Sequence, residues 1–271
     1  MKIWSNTATL NGLIDDIPMG ATHQDAEVLL VGGKPINLQQ FPKLKGIFKC
    51  GVGRDNIPEE QAASLGISCG FPSPSTASII HEETANFACH LVLKSFYSNI
   101  GDFDSWKKIG RNSLSTKNVL VVGTGNIGAK VVHKLKNFVR ISTFDMISNN
   151  SSELKAMIQH ADCITLHLPL NESTRDMFDA EKLSWMKDGA TLVNTARAAI
   201  VPENDLYNEL KSARLFAAFD VFWQEPYKGK LLDLPNDRIL ISPHVASNCQ
   251  EFLDATAEDF RSFLDLLKNQ R

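Results

Sequence analysis

Short apolar runs alternate with amphipathic stretches of helical length along nearly the whole chain, the pattern of β-α-β units that assemble into parallel sheets. In the first third the runs fall at 3–4, 28–31 and 46–48. The middle holds six more, at 119–122, 141–144, 163–166, 191–193, 216–219 and 238–241, enough for one doubly wound sheet. A helical pattern over about 78–98 separates the two sets, and the polar stretch 101–117, rich in Ser, Lys and Gly, reads as a connector. The tail 248–267 carries apolar residues at Phe252, Leu253, Phe260, Phe263, Leu264 and Leu267, the spacing of an amphipathic helix.

Composition narrows the class of partner. With 28 Lys+Arg against 31 Asp+Glu, the 271-residue chain has a formal net charge of -3, which argues against bulk electrostatic affinity for nucleic acid or anionic membrane. No run approaches the roughly 18 apolar residues of a membrane span, and the opening residues lack the apolar stretch of a signal peptide. The expectation is a cytoplasmic protein. Cys50, Cys69, Cys89, Cys163 and Cys249 are odd in number and contain no Cys-x-x-Cys pair, so they read as free thiols and not as a disulfide framework or zinc site.

Gly123-Thr124-Gly125-Asn126-Ile127-Gly128 places a Gly-x-Gly-x-x-Gly directly after an apolar strand, with a helical pattern continuing to Asn137. The glycines provide a tight turn, close backbone approach to a pyrophosphate and close helix-to-strand packing, with phosphates on the helix N-terminus. Asp145 ends the next strand 17 residues beyond Gly128, where a carboxylate can accept ribose hydroxyls. The same charge repels a 2′-phosphate, and no Lys or Arg occurs over 146–154. NAD is therefore favoured over NADP.

Three later strands end in chemistry-bearing residues: Asn194-Thr195-Ala196-Arg197, then Asp220 to Glu225-Pro226, then Ser242-Pro243-His244. Ligands in open α/β sheets lie outside the carboxyl ends of the strands. Reduction of a 2-keto acid needs a cation for the carboxylate, a proton donor at the carbonyl oxygen and a group that holds the donor charged. Arg can grip a carboxylate bidentately, His titrates near neutrality, and a carboxylate beside an imidazole favours its charged form and orients the ring. Singly, each residue is more often a solvated charge than a catalyst; the spacing of 28 and then 19 residues makes the set informative.

With these motifs in order, together with ADCITLHLPLNEST, MKDGATLVNTARAAIV, FAAFDVFWQEP and ILISPHVAS, the chain resembles the D-isomer-specific 2-hydroxy acid dehydrogenases over roughly residues 28–248. The resemblance implies an α/β protein with a Rossmann doubly wound NAD-binding domain (91–248) and a smaller, discontinuous flavodoxin-like substrate domain (1–90 with 249–271). It implies Arg197 as carboxylate anchor, His244 as general acid-base and Glu225 as its partner. Asp220 would lie near the nicotinamide amide, and His167, Pro169, Thr174, Thr195 and Ala196 would line the cofactor beside the glycine loop. Gly33 and Lys34, and Val52, Gly53 and Arg54 in a Gly-x-Gly-x-Asp-Asn segment, would approach substrate, with Lys34 and Arg54 as cations for an acidic tail. A homodimer formed through the NAD domain is implied as well.

Departures from the family pattern are visible. Ala198 stands where the family usually has Gly after the catalytic Arg. The segment 146–160 is short, with Asn150-Ser151-Ser152-Glu153 in capping-box form, and the residues before Val28 have room for one strand and one helix only. Glu225 argues against the formate dehydrogenase branch, which carries Gln before the Pro. His81-Glu82-Glu83 opens like a zinc-protease helix but lacks the second His, so no metal is expected. An enzyme acting on a 2-keto acid and a non-catalytic NAD-sensing protein of the same fold both stand at this point.

Overall fold

The computed structural model describes residues 1–269 and divides into two compact α/β units, Met1–Glu83 with the chain from Ser247 onward, and Thr84–Ala246. In the first unit, β1 (Ile3–Ser5), β2 (Val28–Val31), β3 (Gly46–Lys49) and β4 (Ser68–Gly70) lie parallel and side by side in chain order. Every residue of β2 and β3 is buried, because both faces of the sheet are covered. Val28, Leu30 and Phe48 pack against Ala257, Phe260 and Leu264 of the C-terminal helix Gln250–Asn269, which explains the apolar stripe in the tail. Leu29, Val31 and Ile47 pack on the opposite face with Phe41, Ile57 and Ala62, the last from α1 (Glu59–Ser64).

No helix forms between β1 and β2 among the described residues, although the sequence has room for one. Met19 instead makes an isolated parallel bridge to Ile3 on the outer side of β1. That is the place of the outer strand in the flavodoxin-like order 2-1-3-4-5. The small unit is thus a four-stranded, shortened α/β sheet.

α2 (Pro74–Phe96) begins four residues before its apolar periodicity does, since a proline in the first helical turn loses no hydrogen bond. Inside the predicted connector, β5 (Gly101–Asp102) and β6 (Lys107–Lys108) form a small antiparallel hairpin. The second unit is a six-stranded parallel sheet of β7 (Asn118–Val122), β8 (Arg140–Phe144), β9 (Cys163–Leu166), β10 (Thr191–Asn194), β11 (Phe216–Phe219) and β12 (Ile239–Ile241), in the order β8-β7-β9-β10-β11-β12. Leu120, Val122, Ile164 and Leu192 turn to one face, against Leu154 and Ile158 of α4 (Ser151–His160), Leu183 of α5 (Ala180–Trp185) and Leu206 of α6 (Glu203–Lys211). Val119, Val121, Cys163 and Val193 turn to the other, against Val92 of α2 and Val131 of α3 (Gly128–Leu135). Asn150 and Glu153 cap α4 reciprocally, as their spacing predicts.

The order reverses between β7 and β9, so the loops after these strands diverge and open a crevice at their carboxyl ends. Compared with the doubly wound order 3-2-1-4-5-6, the outermost strand of the first half is absent among the described residues, in keeping with the short 146–160 segment. Among the described residues, no helix is long and apolar enough to cross a membrane.

Candidate active site

The loop after β7 is fitted to a phosphate. Gly123 has φ +90, and a Cβ there would strike the His167 carbonyl; a Cβ on Gly128 would strike the Gly123 carbonyl. These two contacts let α3 start directly beneath the strand. Gly125 is different, with nothing within 4 Å of a Cβ position. The space above it is open, and the N-terminal dipole of α3 faces it. Beside it, the Asp145 Oδ2 accepts from the Thr124 backbone N–H at 3.0 Å and hydroxyl at 2.7 Å, while Oδ1 accepts from Ile147 N–H at 3.1 Å. The Thr124 and Ile147 hydrogen bonds hold the Asp145 carboxyl below its ordinary range, so it stands ionised and half-exposed next to the glycines. Open cradle, helix end and acid together fit a dinucleotide whose ribose carries no extra phosphate.

Arg197, Glu225 and His244 follow β10, β11 and β12, three neighbouring strands, and the structure brings them together. His244 Nδ1 donates to both Glu225 oxygens, at 3.0 and 2.9 Å. Glu225 also accepts from Phe222 N–H at 3.1 Å. Burial acts to raise the Glu225 carboxyl, but the hydrogen bond and charge of His244, the Phe222 amide and the charge of Arg197 together hold it below its ordinary range. The pair stays reachable, with side-chain exposures of 41% for His244 and 33% for Glu225. Because Nδ1 is engaged by the carboxylate, Nε2 is the nitrogen left to exchange a proton. Arg197 is half-buried, one guanidinium nitrogen donating to the Ala196 carbonyl at 2.7 Å. Ala198 begins a 3-10 turn without needing a left-handed backbone, so the family's usual Gly is dispensable there.

His244 itself has φ 56, a left-handed conformation that costs a non-glycine residue energy unless its surroundings impose it. Asp220 imposes it. Its carboxylate, wholly buried, accepts from Ser242 hydroxyl at 2.6 Å, Val245 N–H at 2.9 Å and Ala246 N–H at 2.9 Å. The loop that presents His244 is thereby clamped on both sides of the residue. Phe219, wholly buried just before Asp220, anchors the clamp to the core with about 2–3 kcal/mol of apolar burial. No sequence signal beyond an acid at the end of a buried strand points to this role of Asp220.

The remaining expected residues differ in their surroundings. Gly123, Thr124, Gly125, Asn126, Ile127 and Gly128 form the loop just described. His167 lies under it, its Nε2 at 2.9 Å from the Thr165 hydroxyl, and burial pushes its imidazole down to about 4. Thr174 is buried and its hydroxyl donates to the Pro169 carbonyl at 2.6 Å, so it shapes the loop in which Pro169 is exposed. Ala196 N–H donates to Asn194 Oδ1 at 3.0 Å, and Thr195 is buried with its hydroxyl lacking a protein partner.

In the small unit, Gly33 and Lys34 are exposed on the loop after β2, and Val52, Gly53 and Arg54 follow β3. Arg54 is already engaged, donating to Glu59 at 3.0 Å and lying 3.9 Å over the Phe71 ring. A cation that sequence reasoning missed is Lys49, at 5% exposure in the otherwise apolar β3, donating to the Gly32 carbonyl at 2.5 Å. Asn56 donates to the Gly32 and Lys34 carbonyls at 2.8 Å each. The signal was a lysine in a strand with no exposed position. Among the described residues, no cluster of three or more His, Cys, Asp or Glu could hold a metal.

Residues 96–246 match the family model described as D-isomer specific 2-hydroxyacid dehydrogenase, NAD binding domain. The chain is 32% identical over 224 residues to a hydroxypyruvate reductase of Thermotoga maritima, covering 77% of this chain and 72% of the relative. It is 31% identical over 252 residues to a glyoxylate reductase of Korarchaeum cryptofilum, covering 83% and 74%. The crystal structure of D-lactate dehydrogenase from Aquifex aeolicus, complexed with NAD and lactic acid, matches with a TM-score of 0.81 at 21% identity, over 100% of this chain and 96% of that one. At that identity the likeness concerns the fold alone.

Proposed function

Because the chain belongs to the D-isomer-specific 2-hydroxyacid dehydrogenase family, we propose that it is an NAD-dependent oxidoreductase that interconverts a 2-keto acid and a D-2-hydroxy acid. The observation that carries the reading is the His244–Glu225 pair beside Arg197 at the ends of three adjacent strands. Thr84–Ala246 is the cofactor domain and the remainder the substrate domain. When bound, the nicotinamide supplies or removes a hydride at the substrate carbon. Arg197 binds the carboxylate and fixes which carbon faces the hydride. In reduction, the Nε2 proton of His244 passes to the carbonyl oxygen; in oxidation the same nitrogen takes it back. Glu225, ionised, stabilises the imidazolium and fixes the tautomer through Nδ1. Gly33, Lys34, Val52, Gly53 and Arg54 hold the substrate tail.

Glyoxylate and hydroxypyruvate are the first substrates to test, with 3-phosphohydroxypyruvate and pyruvate as longer and less polar alternatives. NADH consumption on at least one of them is expected. Tight NADH binding with no turnover on any of them would favour a sensing role instead.

The chain acts as a cytoplasmic homodimer. The dimer reading is supported by the β5–β6 hairpin, which exposes Phe103 (82%) and Trp106 (72%), their rings edge to face at 5.6 Å. Free cysteines throughout the chain support the compartment. Light scattering should give twice the 30.0 kDa chain mass, and a single-chain mass would contradict the dimer.

A further inference from the structure

Glu225 sits between Trp223 and Tyr227, and both of these side chains are tied to one short segment on another loop. The Trp223 indole N–H donates to the Val201 carbonyl at 2.9 Å. The Tyr227 hydroxyl donates to Glu203 at 2.6 Å and accepts from Leu231 N–H at 3.1 Å. Arg197 and Val201 flank the 3-10 turn Ala198–Ile200: Ile200 N–H donates to the Arg197 carbonyl at 3.2 Å and Val201 N–H to the Ala198 carbonyl at 2.9 Å. Glu203 opens α6 two residues further on. The rings are packed as well as tethered, Trp223 stacked on Phe219 at 6.1 Å and Tyr227 stacked on Phe222 at 4.6 Å. Phe222 is the residue whose N–H holds Glu225.

We propose that Trp223 and Tyr227 are positioning residues that lock the Glu225 loop to the Arg197 turn, so that the acid-base pair and the carboxylate anchor move as one rigid piece. The chemistry requires this coupling. The substrate is gripped through its carboxylate by Arg197 while its carbonyl oxygen, one carbon away, must meet His244 Nε2, and a misplacement of about 1 Å between the two can cost about 100-fold in rate. Two loops from different strands have no inherent reason to keep that spacing. A stacked aromatic with its N–H on one loop and its ring on the other supplies it, as does a half-buried hydroxyl with both its donor and acceptor roles filled. Burial first, and then the Glu203 hydrogen bond, push the Tyr227 hydroxyl up to about 12, so it remains a donor under all working conditions. Trp223 therefore does not line the substrate pocket with its indole N–H.

This inference rests on the proposed dehydrogenase reading, and the test separates the two. Tyr227→Phe keeps the ring and removes the hydroxyl that joins Glu203 and the Leu231 N–H, while Trp223→Phe keeps an aromatic ring on Phe219 and removes the indole N–H with part of the stacking area. With 2-keto acid and NADH, kcat/KM is expected to fall about 10- to 100-fold, mostly in kcat, with the NADH dissociation constant, read by fluorescence, unchanged. Glu203→Gln, which keeps an acceptor for Tyr227, should retain the wild-type rate where Glu203→Ala loses it. Side-chain 15N NMR of His244, assigned with His244→Ala, reads the pair without turnover: its titration should move in both Phe variants toward that of Glu225→Gln. If the wild type turns nothing over while the NMR titration moves, the dehydrogenase reading fails and the positioning role stands. Folded variants that keep both the wild-type rate and the wild-type titration overturn the proposal, and so does a rate loss matched by loss of folded protein with the titration unmoved. Trp223→Phe serves where Tyr227→Phe does not fold.

Discussion

Asp220→Asn is the substitution that most sharply separates a clamp from a simple cofactor contact. The carboxylate accepts three hydrogen bonds at 2.6, 2.9 and 2.9 Å in a fully buried site. An amide of the same shape keeps one acceptor but turns an NH2 group toward at least one of the three donors. One charge-assisted bond, worth about 1.5–3 kcal/mol, is lost and a buried donor is left opposed to another, so the loss of stability should be about 3 kcal/mol. In a domain of this size that lowers the thermal midpoint by about 6–12 °C. Released from its clamp, the Ser242–Ala246 loop is free to relax the left-handed φ of His244, and kcat should fall about 100-fold. Ser242→Ala removes only one of the three bonds and opposes no donor to another, so it should cost about 1.5–2 kcal/mol with a correspondingly smaller loss of rate. Calorimetry and NADH-consumption kinetics on the two variants decide the matter. A folded Asp220→Asn protein with the wild-type midpoint and rate would show that the carboxylate does not hold the His244 loop.

Two further outcomes follow from perturbed groups. His167 falls from 6.5 to about 4 because its ring is buried; the unfolded chain takes up its proton first, so its contribution is complete above about pH 6.5 and is lost as pH falls toward 4, about 3 kcal/mol in all. Urea unfolding of wild type and His167→Gln should therefore converge by about 2 kcal/mol between pH 7 and pH 5, and parallel curves would remove His167 as the cause. Asp145→Ala should weaken NADH and strengthen NADPH binding, narrowing their ratio at least about 10-fold as the carboxylate's repulsion of a 2′-phosphate disappears; an unchanged ratio by fluorescence titration would assign the selectivity elsewhere.

The parts of the fold legible in the sequence were those whose residues carry their own signal. Val28–Val31, Cys163–Leu166 and Phe216–Phe219 are short, mostly apolar runs, and their bounds match the strands. Ser68–Gly70 has no apolar run and pairs only because β3 offers it a ladder, so periodicity could not find it. The β5–β6 hairpin pairs two residues with two in a stretch of polar composition, which reads as a connector. At the site, Arg197, Glu225 and His244 were visible because each follows closely on an apolar run that forms a strand. The Asp220 clamp and the Trp223 and Tyr227 tethers join residues 22 to 26 positions apart through loop geometry, and no spacing rule encodes such contacts. Lys49 was hidden for the opposite reason, a charge inside a strand that its neighbours mark as core.

Turnover in the proposed reaction depends on His244 as the group that exchanges a proton with a 2-keto acid. The most direct test is the rate of NADH consumption by His244→Ala beside wild type, on whichever of glyoxylate or hydroxypyruvate the wild type reduces, with NADH affinity measured on the same samples. The rate should fall at least about 100-fold with NADH affinity preserved; a variant that binds NADH and reduces the keto acid at the wild-type rate would show that the proton comes from another group.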